Sequence, residues 1–295
     1  MSRTSTGSSS RRNSLPIPAF STVPEHPEEV LRTLERLGVA PSKRWGQSFL
    51  TDPFVADAEA ALIELPPGRP ILEVGGGLGI LTSAILRRGL GPLTVIERDR
   101  RLAAFLESAF GPRVQVLTAD ALEVDLPKVD CAVGNLPYSS ATRILDRLLT
   151  ARVPRIVFLV QQEVAQRMAA GPGSKEYGRL SIFAQLYGSV ELYRSVGAEA
   201  FTPRPRVESR LAVHTARPGP LPVPSVPVLE RAVSALFSSR RKQLGNLLPR
   251  LAPSKEAAEL LAKDAGWPAD WRHHRPEELP PEAYFALATC LSSSR

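Results

Sequence analysis

Four consecutive residues in the middle of the chain have the chemistry needed to handle an aromatic amine. They are Asn135, Leu136, Pro137 and Tyr138. The side-chain oxygen of Asn135 and a backbone carbonyl from Leu136 or Pro137 can accept the two hydrogens of an exocyclic amine such as that of adenine, which localises the nitrogen lone pair for attack. The proline stiffens the turn and removes a donor, and Tyr138 can stack on the base, a contact worth roughly 1–3 kcal/mol. For this motif alone, the alternative is a structural Asx turn followed by a core tyrosine.

A glycine-rich segment precedes this motif and predicts a site for a small cationic ligand. Gly75, Gly77 and Gly79 follow an apolar run, and Glu73 stands two residues before the first of them. Glycines permit a tight turn and the close approach of a ligand, and a helix N-terminus is expected to follow. The dinucleotide fingerprint does not fit, because its last glycine would fall at Ile80.

Two further acids stand where a fold of this type would use them. Glu97 ends the next apolar run, 22 residues after Gly75, and can accept hydrogen bonds from both hydroxyls of a ribose. Asp120 follows the third run and can accept from an adenine amine. The glycine turn alone could be an ordinary strand-to-helix turn. Three successive strand ends, each with a suitable group, predict a nucleoside-bearing cofactor far more strongly.

Short apolar runs alternate with helical stretches, which predicts an α/β fold with a parallel sheet covered by helices on both faces. The predicted strands are Ile71–Val74, Leu93–Ile96, Val114–Leu117, Val129–Val133 and Ile156–Val160, and the predicted helices are Glu28–Leu37, one that starts at Asp52-Pro53, Leu81–Arg88, Leu102–Ala109 and one that follows Tyr138. Glu191–Val196 and Ser209–His214 have no helix between them, so we expect an antiparallel pair at the sheet edge.

Composition divides the chain into three parts. Residues 1–27 are rich in Ser, Arg and Pro, and we expect a disordered, dispensable tail, although the same composition fits an organelle transit peptide. The Pro-rich segment Arg217–Pro224 predicts a linker between a cofactor-binding domain at 28–216 and a small helical domain at 217–295. The helices expected in the second domain are Val226–Ser239, Lys255–Ala265 and Pro281–Leu291.

The charge balance favours a polyanionic partner. The formal net charge is +7, and the segment from Arg204 to Arg250 has nine Lys or Arg against two acids, Glu208 and Glu230. A solvated basic face is the alternative. No apolar run reaches the roughly 18 residues of a membrane span, and the cysteines and histidines lack metal-ligand spacing. We therefore expect a cytoplasmic monomer without a membrane segment, metal or disulfide.

Together, these motifs resemble the ribosomal RNA adenine N6,N6-dimethyltransferase family, which includes the bacterial kasugamycin-sensitivity enzyme. The resemblance runs from about Lys43 to Leu291. The matching segments, in the order of the family, are Lys43–Leu50, Glu73–Gly79, Glu97, Asp120, Asn135–Tyr138, Gln161–Arg167, Phe201–Ser209 and Phe237–Leu244. The resemblance implies a Rossmann-like class I methyltransferase domain, a small C-terminal helical RNA-binding domain, and S-adenosylmethionine as the cofactor.

The resemblance also implies a role for each site residue. Ser48, Leu50, Gly75, Gly77, Glu97, Asp120 and Asn135 would surround the cofactor; Asn135, Leu136, Pro137 and Tyr138 would act on the target adenine, with Phe201 closing the pocket; Arg204, Arg206, Arg240, Arg241 and Lys242 would contact RNA, with Arg240 to Lys242 as the strongest candidates. Two positions depart from the family, since Ser48 replaces the usual Asn or His and Gly76 replaces a common Pro.

The implied substrate is a pair of adjacent adenosines in a hairpin loop near the 3′ end of small-subunit ribosomal RNA. Loop bases can be splayed out and stacked on aromatic side chains. Three alternatives are a large-subunit dimethyltransferase that gives antibiotic resistance, a non-catalytic transcription factor of related fold, and an assembly factor that occupies a maturing subunit. The C-terminal segments favour the small-subunit enzyme over the first, and the intact Asn135–Tyr138 motif disfavours the second.

Overall fold

The computed structural model describes residues 23–24, 26–41 and 47–293. Its strands are β1 (Phe49–Leu50), β2 (Ile71–Val74), β3 (Leu93–Glu97), β4 (Val114–Thr118), β5 (Cys131–Asn135), β6 (Arg155–Gln161), β7 (Gly188–Val196), β8 (Phe201–Thr202) and β9 (Ser209–Ala216). Its helices are α1 (Pro27–Arg36), α2 (Pro53–Ala61), α3 (Ile80–Arg87), α4 (Arg100–Phe110), α5 (Ala141–Thr150), α6 (Gln162–Ala169), α7 (Arg179–Tyr187), α8 (Val226–Phe237), α9 (Lys255–Asp264) and α10 (Pro281–Ser293).

Seven strands form one mixed sheet in the order β4-β3-β2-β5-β6-β9-β7. The first five are parallel, and β9 is antiparallel to both β6 and β7. The predicted α/β fold is therefore confirmed, together with the antiparallel pair at the edge. One boundary was wrong, because the fourth parallel strand runs from Cys131 to Asn135 rather than over Val129–Val133. Asn135 consequently ends the strand instead of following it.

Helices cover both faces of the sheet. Ile71 of β2 belongs to the apolar core shared with α2 and α3, whereas Leu72 and Val74 belong to the core on the other face, with α5 and α7. That second core continues into α8, α9 and α10. Phe237, at the end of α8, lies 6.3 Å from Tyr177 and 5.8 Å from Tyr284 between ring centroids. Of the C-terminal helices, α8 and α10 also pack against α7.

A second, two-stranded sheet positions the segment that precedes α2. β1 pairs antiparallel with β8, with Phe49 opposite Thr202 and Leu50 opposite Phe201. The next residue, Thr51, donates its amide hydrogen to the Ala200 carbonyl at 2.8 Å. The adjacent Asp52 then starts α2 by accepting the amide hydrogens of the first turn, as the sequence predicted.

Some predictions concern parts of the chain that the structure does not describe. The expected tail falls almost entirely on residues 1–22, and the first part of the Lys43–Leu50 match falls on residues 43–46; both lie outside the described residues. None of the described helices is long and apolar enough to cross a membrane.

Candidate active site

A cleft opens at the carboxyl ends of β2, β3 and β5 and holds about 1080 Å³ of empty space, its open mouth included. Most of the predicted site residues line it, namely Ser48, Leu50, Gly75, Gly77, Glu97, Asp120, Asn135, Leu136, Pro137 and Tyr138. The carboxyl ends of parallel strands in an open α/β sheet are where such folds bind ligands. The structure thus brings residues from five separate segments into one site.

The glycine turn has the backbone conformation that its sequence predicted. Gly75 has a φ of +82° and Gly77 a φ of +54°, which side chains with a β-carbon rarely adopt. Gly76 is constrained by space instead. A β-carbon there would lie 2.5 Å from Val95 Cγ1 and 2.8 Å from Leu106 Cδ1. Core side chains of β3 and α4 therefore leave little room for a side chain at position 76.

Backbone hydrogen bonds to both carboxylate oxygens fix the side chain of Glu97 in the cleft. Its side chain accepts the amide hydrogen of Gly77 at 3.0 Å on one oxygen and that of Asp99 at 2.9 Å on the other. Burial raises the pKa of Glu97, and these hydrogen bonds counteract the rise. Because a carboxylate oxygen can accept two hydrogen bonds, each oxygen keeps a site for a ribose hydroxyl.

Asp120 faces the same cleft and is held from two sides. One oxygen accepts the Leu122 amide hydrogen at 2.9 Å, and the other lies 3.6 Å from Arg98 Nη1. Arg98 also lines the cleft and was missed in the sequence. Its position directly after Glu97, at a strand end, was the available signal.

Asn135 is oriented by the segment in front of β1. Its side-chain nitrogen donates to the Ser48 carbonyl at 3.2 Å. Since a carbonyl can only accept, this bond identifies the nitrogen and leaves the amide oxygen as the acceptor for a substrate. The Ser48 hydroxyl in turn donates to the Pro203 carbonyl at 2.6 Å. Ser48 therefore positions Asn135 through its backbone and ties the β8–β9 loop to the cleft through its side chain.

The backbone of the Asn135–Tyr138 motif offers one carbonyl rather than two. Pro137 accepts the amide hydrogens of Ser140 at 2.9 Å and Ala141 at 2.8 Å, because its carbonyl begins α5. The Leu136 amide donates to Leu159 of the neighbouring strand at 3.1 Å. The carbonyl of Leu136 is therefore the better candidate for the second acceptor.

Tyr138 is half-buried in the wall of the cleft. Its hydroxyl lies 2.6 Å from the hydroxyl of Ser209, the first residue of β9. Burial raises the pKa of Tyr138, and the Ser209 contact lowers it. Ser209 ends the Phe201–Ser209 string that carries the family resemblance, but the sequence alone did not show its partner.

Phe201 does not reach the cleft. Its side chain is 1% exposed and belongs to the core formed by α2, α3 and β1, and it is absent from the cleft lining. The expectation that it closes the pocket therefore differs from the structure. As part of β8, Phe201 supports Leu50, which does line the cleft.

The predicted RNA-contacting residues lie in two places. Arg204 and Arg206 are exposed in the loop that Ser48 ties to the cleft. Arg241 and Lys242 are exposed just after α8. Arg240 is different, because it donates to the Ser174 carbonyl at 3.1 Å and lies 3.4 Å from the Glu277 carboxylate. Its guanidinium therefore joins parts of the fold, contrary to its ranking among the strongest candidates for RNA contact.

In the described part of the chain, no cluster of three or more His, Cys, Asp or Glu residues is arranged to hold a metal ion. The two cysteines, Cys131 and Cys290, are both free thiols. Burial raises the pKa of Cys131 to about 12, so its thiol stays protonated and unreactive at neutral pH.

Comparisons with known proteins identify the family of this chain. The family model "Ribosomal RNA adenine dimethylase" matches residues 40–266. A probable ribosomal RNA small subunit methyltransferase A from Natronomonas pharaonis is 40% identical over 263 residues, covering 86% of this chain and 94% of that protein. The ribosomal RNA small subunit methyltransferase A of Methylibium petroleiphilum is 39% identical, covering 85% of this chain and 96% of that protein.

A similar solved structure is the crystal structure of the 23S rRNA methyltransferase ErmE. It is 27% identical, has a TM-score of 0.63, and covers 83% of this chain and 99% of its own. The family match covers the glycine turn, the acids at the strand ends and the Asn135–Tyr138 motif. The chain therefore belongs to the ribosomal RNA adenine dimethylase family and is an S-adenosylmethionine-dependent methyltransferase.

Proposed function

We propose that this enzyme methylates the N6 amines of two adjacent adenosines in a hairpin loop near the 3′ end of small-subunit ribosomal RNA, giving dimethyladenosines during subunit biogenesis. The observation that carries the proposal is the orientation of Asn135, whose amide nitrogen is held by the Ser48 carbonyl. The amide oxygen is then the atom that can accept a hydrogen from the target amine.

The cleft residues fit S-adenosylmethionine. Glu97 has a lone pair left on each oxygen for the ribose hydroxyls, the turn at Gly75 and Gly77 leaves backbone space, and Glu73 supplies a nearby acid for a cationic ligand. Arg98 and Asp120 lie where the adenine of the cofactor would end. When bound, S-adenosylmethionine supplies a methyl group activated by its sulfonium.

The chain's own residues then activate the adenine amine. Its lone pair is delocalised into the ring, so it is a weak nucleophile. The Asn135 oxygen and the Leu136 carbonyl would accept its two hydrogens and direct the lone pair toward the methyl group. Because acceptors held by the fold need no rearrangement, alignment supplies much of the rate.

Tyr138 would hold the plane of the base. Its hydroxyl is anchored to Ser209 while its ring lines the cleft, so the ring keeps a fixed orientation. Stacking on such a ring stabilises a splayed-out base by roughly 1–3 kcal/mol, which offsets part of the cost of unstacking it from the loop.

The small-subunit assignment draws on the names of the relatives that are 40% and 39% identical, against 27% for the 23S rRNA enzyme. Phosphate contacts would come from exposed cations on both sides of the proposed domain boundary at residue 217. They are Arg204 and Arg206 before it, and Arg241 and Lys242 after it. We propose that the helical segment 217–295 contributes to RNA binding alongside the methyltransferase domain at 28–216.

The test is methyl transfer from labelled S-adenosylmethionine to small subunits that lack the modification, with the product nucleoside identified by mass spectrometry. Dimethyladenosine at adjacent loop positions is expected. Labelling of large subunits alone would instead favour the 23S activity and refute the small-subunit proposal.

Asn135→Ala is expected to lower turnover by at least a hundredfold while cofactor binding and the thermal midpoint change little, because the missing acceptor acts on the amine. The exposed Asn246→Ala is the matched control and should keep its activity. Near-normal turnover by Asn135→Ala would remove Asn135 from the mechanism.

A further inference from the structure

Three carboxyl groups are buried in or beside the wall of the cofactor cleft. Glu97 and Glu73 line the cleft and are 5% and 1% exposed. Glu59, on α2, is 0% exposed and does not line the cleft. Buried carboxyl groups are costly to ionise unless hydrogen bonds or opposite charges stabilise the anion, so the partners of each group decide its state.

The three carboxyl groups have fewer hydrogen-bond partners the deeper they lie behind the cleft. Glu97 accepts two backbone amide hydrogens. Glu73 accepts the Thr82 hydroxyl hydrogen at 2.7 Å. Among the described residues, neither oxygen of Glu59 has a hydrogen bond of normal geometry, and the backbone of Gly134 gives it only a weak contact. Glu97 is therefore the easiest of the three to ionise and Glu59 the hardest.

The surroundings of Glu73 favour its neutral form. The hydroxyl and the backbone of Thr82, from α3, favour the carboxylate, but burial outweighs them. The charge of Glu97, from β3, also disfavours the carboxylate, and α2 places Glu59 nearby, whose own pKa Glu73 raises. β5 places an uncharged Val133 opposite it. Burial raises the pKa of Glu73 to about 8. Arg98, which lines the cleft, has its guanidinium paired with Asp120.

We propose that Glu73 carries a proton in the free enzyme and releases it when S-adenosylmethionine binds, so that cofactor affinity depends on pH. The cofactor brings positive charge on its sulfonium and ammonium groups into the cleft, and a nearby positive charge favours a carboxylate. The O–H bond of the carboxyl group breaks, its electrons stay on oxygen, and the proton passes to the solvent. This inference rests on the assignment of the cleft to the methyl donor.

The test is titration calorimetry of the full chain with S-adenosylmethionine in two buffers that differ in ionisation enthalpy. The difference in heat gives the number of protons released per ligand bound. A carboxyl with a pKa of about 8 is about 90% protonated at pH 7 and half protonated at pH 8. Glu73 should therefore release about 0.9 proton at pH 7 and about 0.5 at pH 8. The association constant should rise up to about tenfold from pH 6 to pH 7 and level off above pH 8.

Three variants isolate the source of the proton. Glu73→Gln keeps an acceptor for Thr82 but has no proton to release. Protons that come from the ligand are released with both proteins, so subtracting the two proton counts leaves the contribution of Glu73. Thr82→Val deletes a hydrogen bond that favours the carboxylate of Glu73. It should therefore shift the pH dependence of cofactor binding to higher pH. Glu59→Gln is the matched control, because that buried acid keeps its proton in both states, and its proton count should not change. Thermal melting checks that each variant folds.

The outcomes separate two failures. Equal proton release by Glu73→Gln and the unmodified enzyme would overturn the inference while leaving the cofactor assignment intact. Failure of the folded enzyme to bind S-adenosylmethionine at any pH would instead refute the assignment of the cleft, and the inference with it.

Discussion

Because the carboxyl of Glu59 is buried, we expect the stability of the fold to depend on pH, independently of catalysis. Among the described residues, neither oxygen has a hydrogen bond of normal geometry, the backbone of Gly134 gives only a weak contact, and the residue is 0% exposed. Burial, and then the charge of Glu73, raises the pKa of Glu59 well above its ordinary value of 4.5. The folded chain therefore keeps a proton that the unfolded chain loses as the pH rises.

The sign and the size follow from linkage. Because the pKa of Glu59 is higher in the folded chain, its contribution to the free energy of unfolding is complete below pH 4.5. That contribution is lost as the pH rises from 4.5 toward the folded pKa. Each pH unit over this range costs about 1.4 kcal/mol. From pH 4.5 upward, the free energy of unfolding should therefore fall on account of Glu59 for as long as the folded chain keeps this proton. Glu59→Gln has nearly the same size and no proton to hold, so it should escape this loss.

The assay is urea unfolding followed by far-ultraviolet circular dichroism at pH 5 and pH 7.5. The gain in the free energy of unfolding of Glu59→Gln over the unmodified chain should be larger at pH 7.5 than at pH 5, and linkage limits the difference to about 1.4 kcal/mol per pH unit. Glu64→Gln is the matched control, since Glu64 lies three residues beyond the end of α2, its side chain is 60% exposed and it pairs with Arg155. It should change stability by less than about 1 kcal/mol. A gain for Glu59→Gln that is equal at both pH values would refute the reasoning.

Two further predictions concern the RNA contacts and the tyrosine. Arg241→Glu combined with Lys242→Glu should weaken binding to small-subunit RNA and flatten its salt dependence by about one unit of log–log slope per cation; an unchanged slope would mean that these charges are only solvated. Arg240→Gln, which loses contacts within the protein, should instead lower the free energy of unfolding by about 1 kcal/mol and leave the slope nearly unchanged. Ser209→Ala should lower kcat severalfold with unchanged cofactor binding, because the Tyr138 ring loses its anchor; turnover equal to that of the unmodified enzyme would show that the ring needs no anchor.

The sheet and most of the cleft could be predicted because their signals are local. Strands buried on both faces have continuous apolar runs, and the groups that bind ligands follow them directly, as Glu97 and Asp120 do. Each position could therefore be identified from a few neighbouring residues. The order of the motifs along the chain then placed them at one edge of the sheet.

The elements that were missed lack such local signals. β1 and β8 contain two residues each, and their pairing joins Leu50 to Phe201 across the chain, so no periodicity marks them. α7 was missed for the opposite reason, because it is apolar nearly all round. Its buried residues include Ile182, Phe183, Ala184 and Leu186, which leaves no polar face to reveal a helical period.

Arg240 illustrates why charge alone does not identify a binding residue. It lies in the same string as Arg241 and Lys242, and counting charges treats the three alike. Its partners are a carbonyl 66 residues earlier in the chain and a carboxylate in the turn before α10. A guanidinium engaged by two such partners has fewer N–H donors left for a phosphate than its exposed neighbours have. The same string can therefore serve the fold through one cation and RNA binding through the next two, and the salt slopes of the separate variants distinguish these roles.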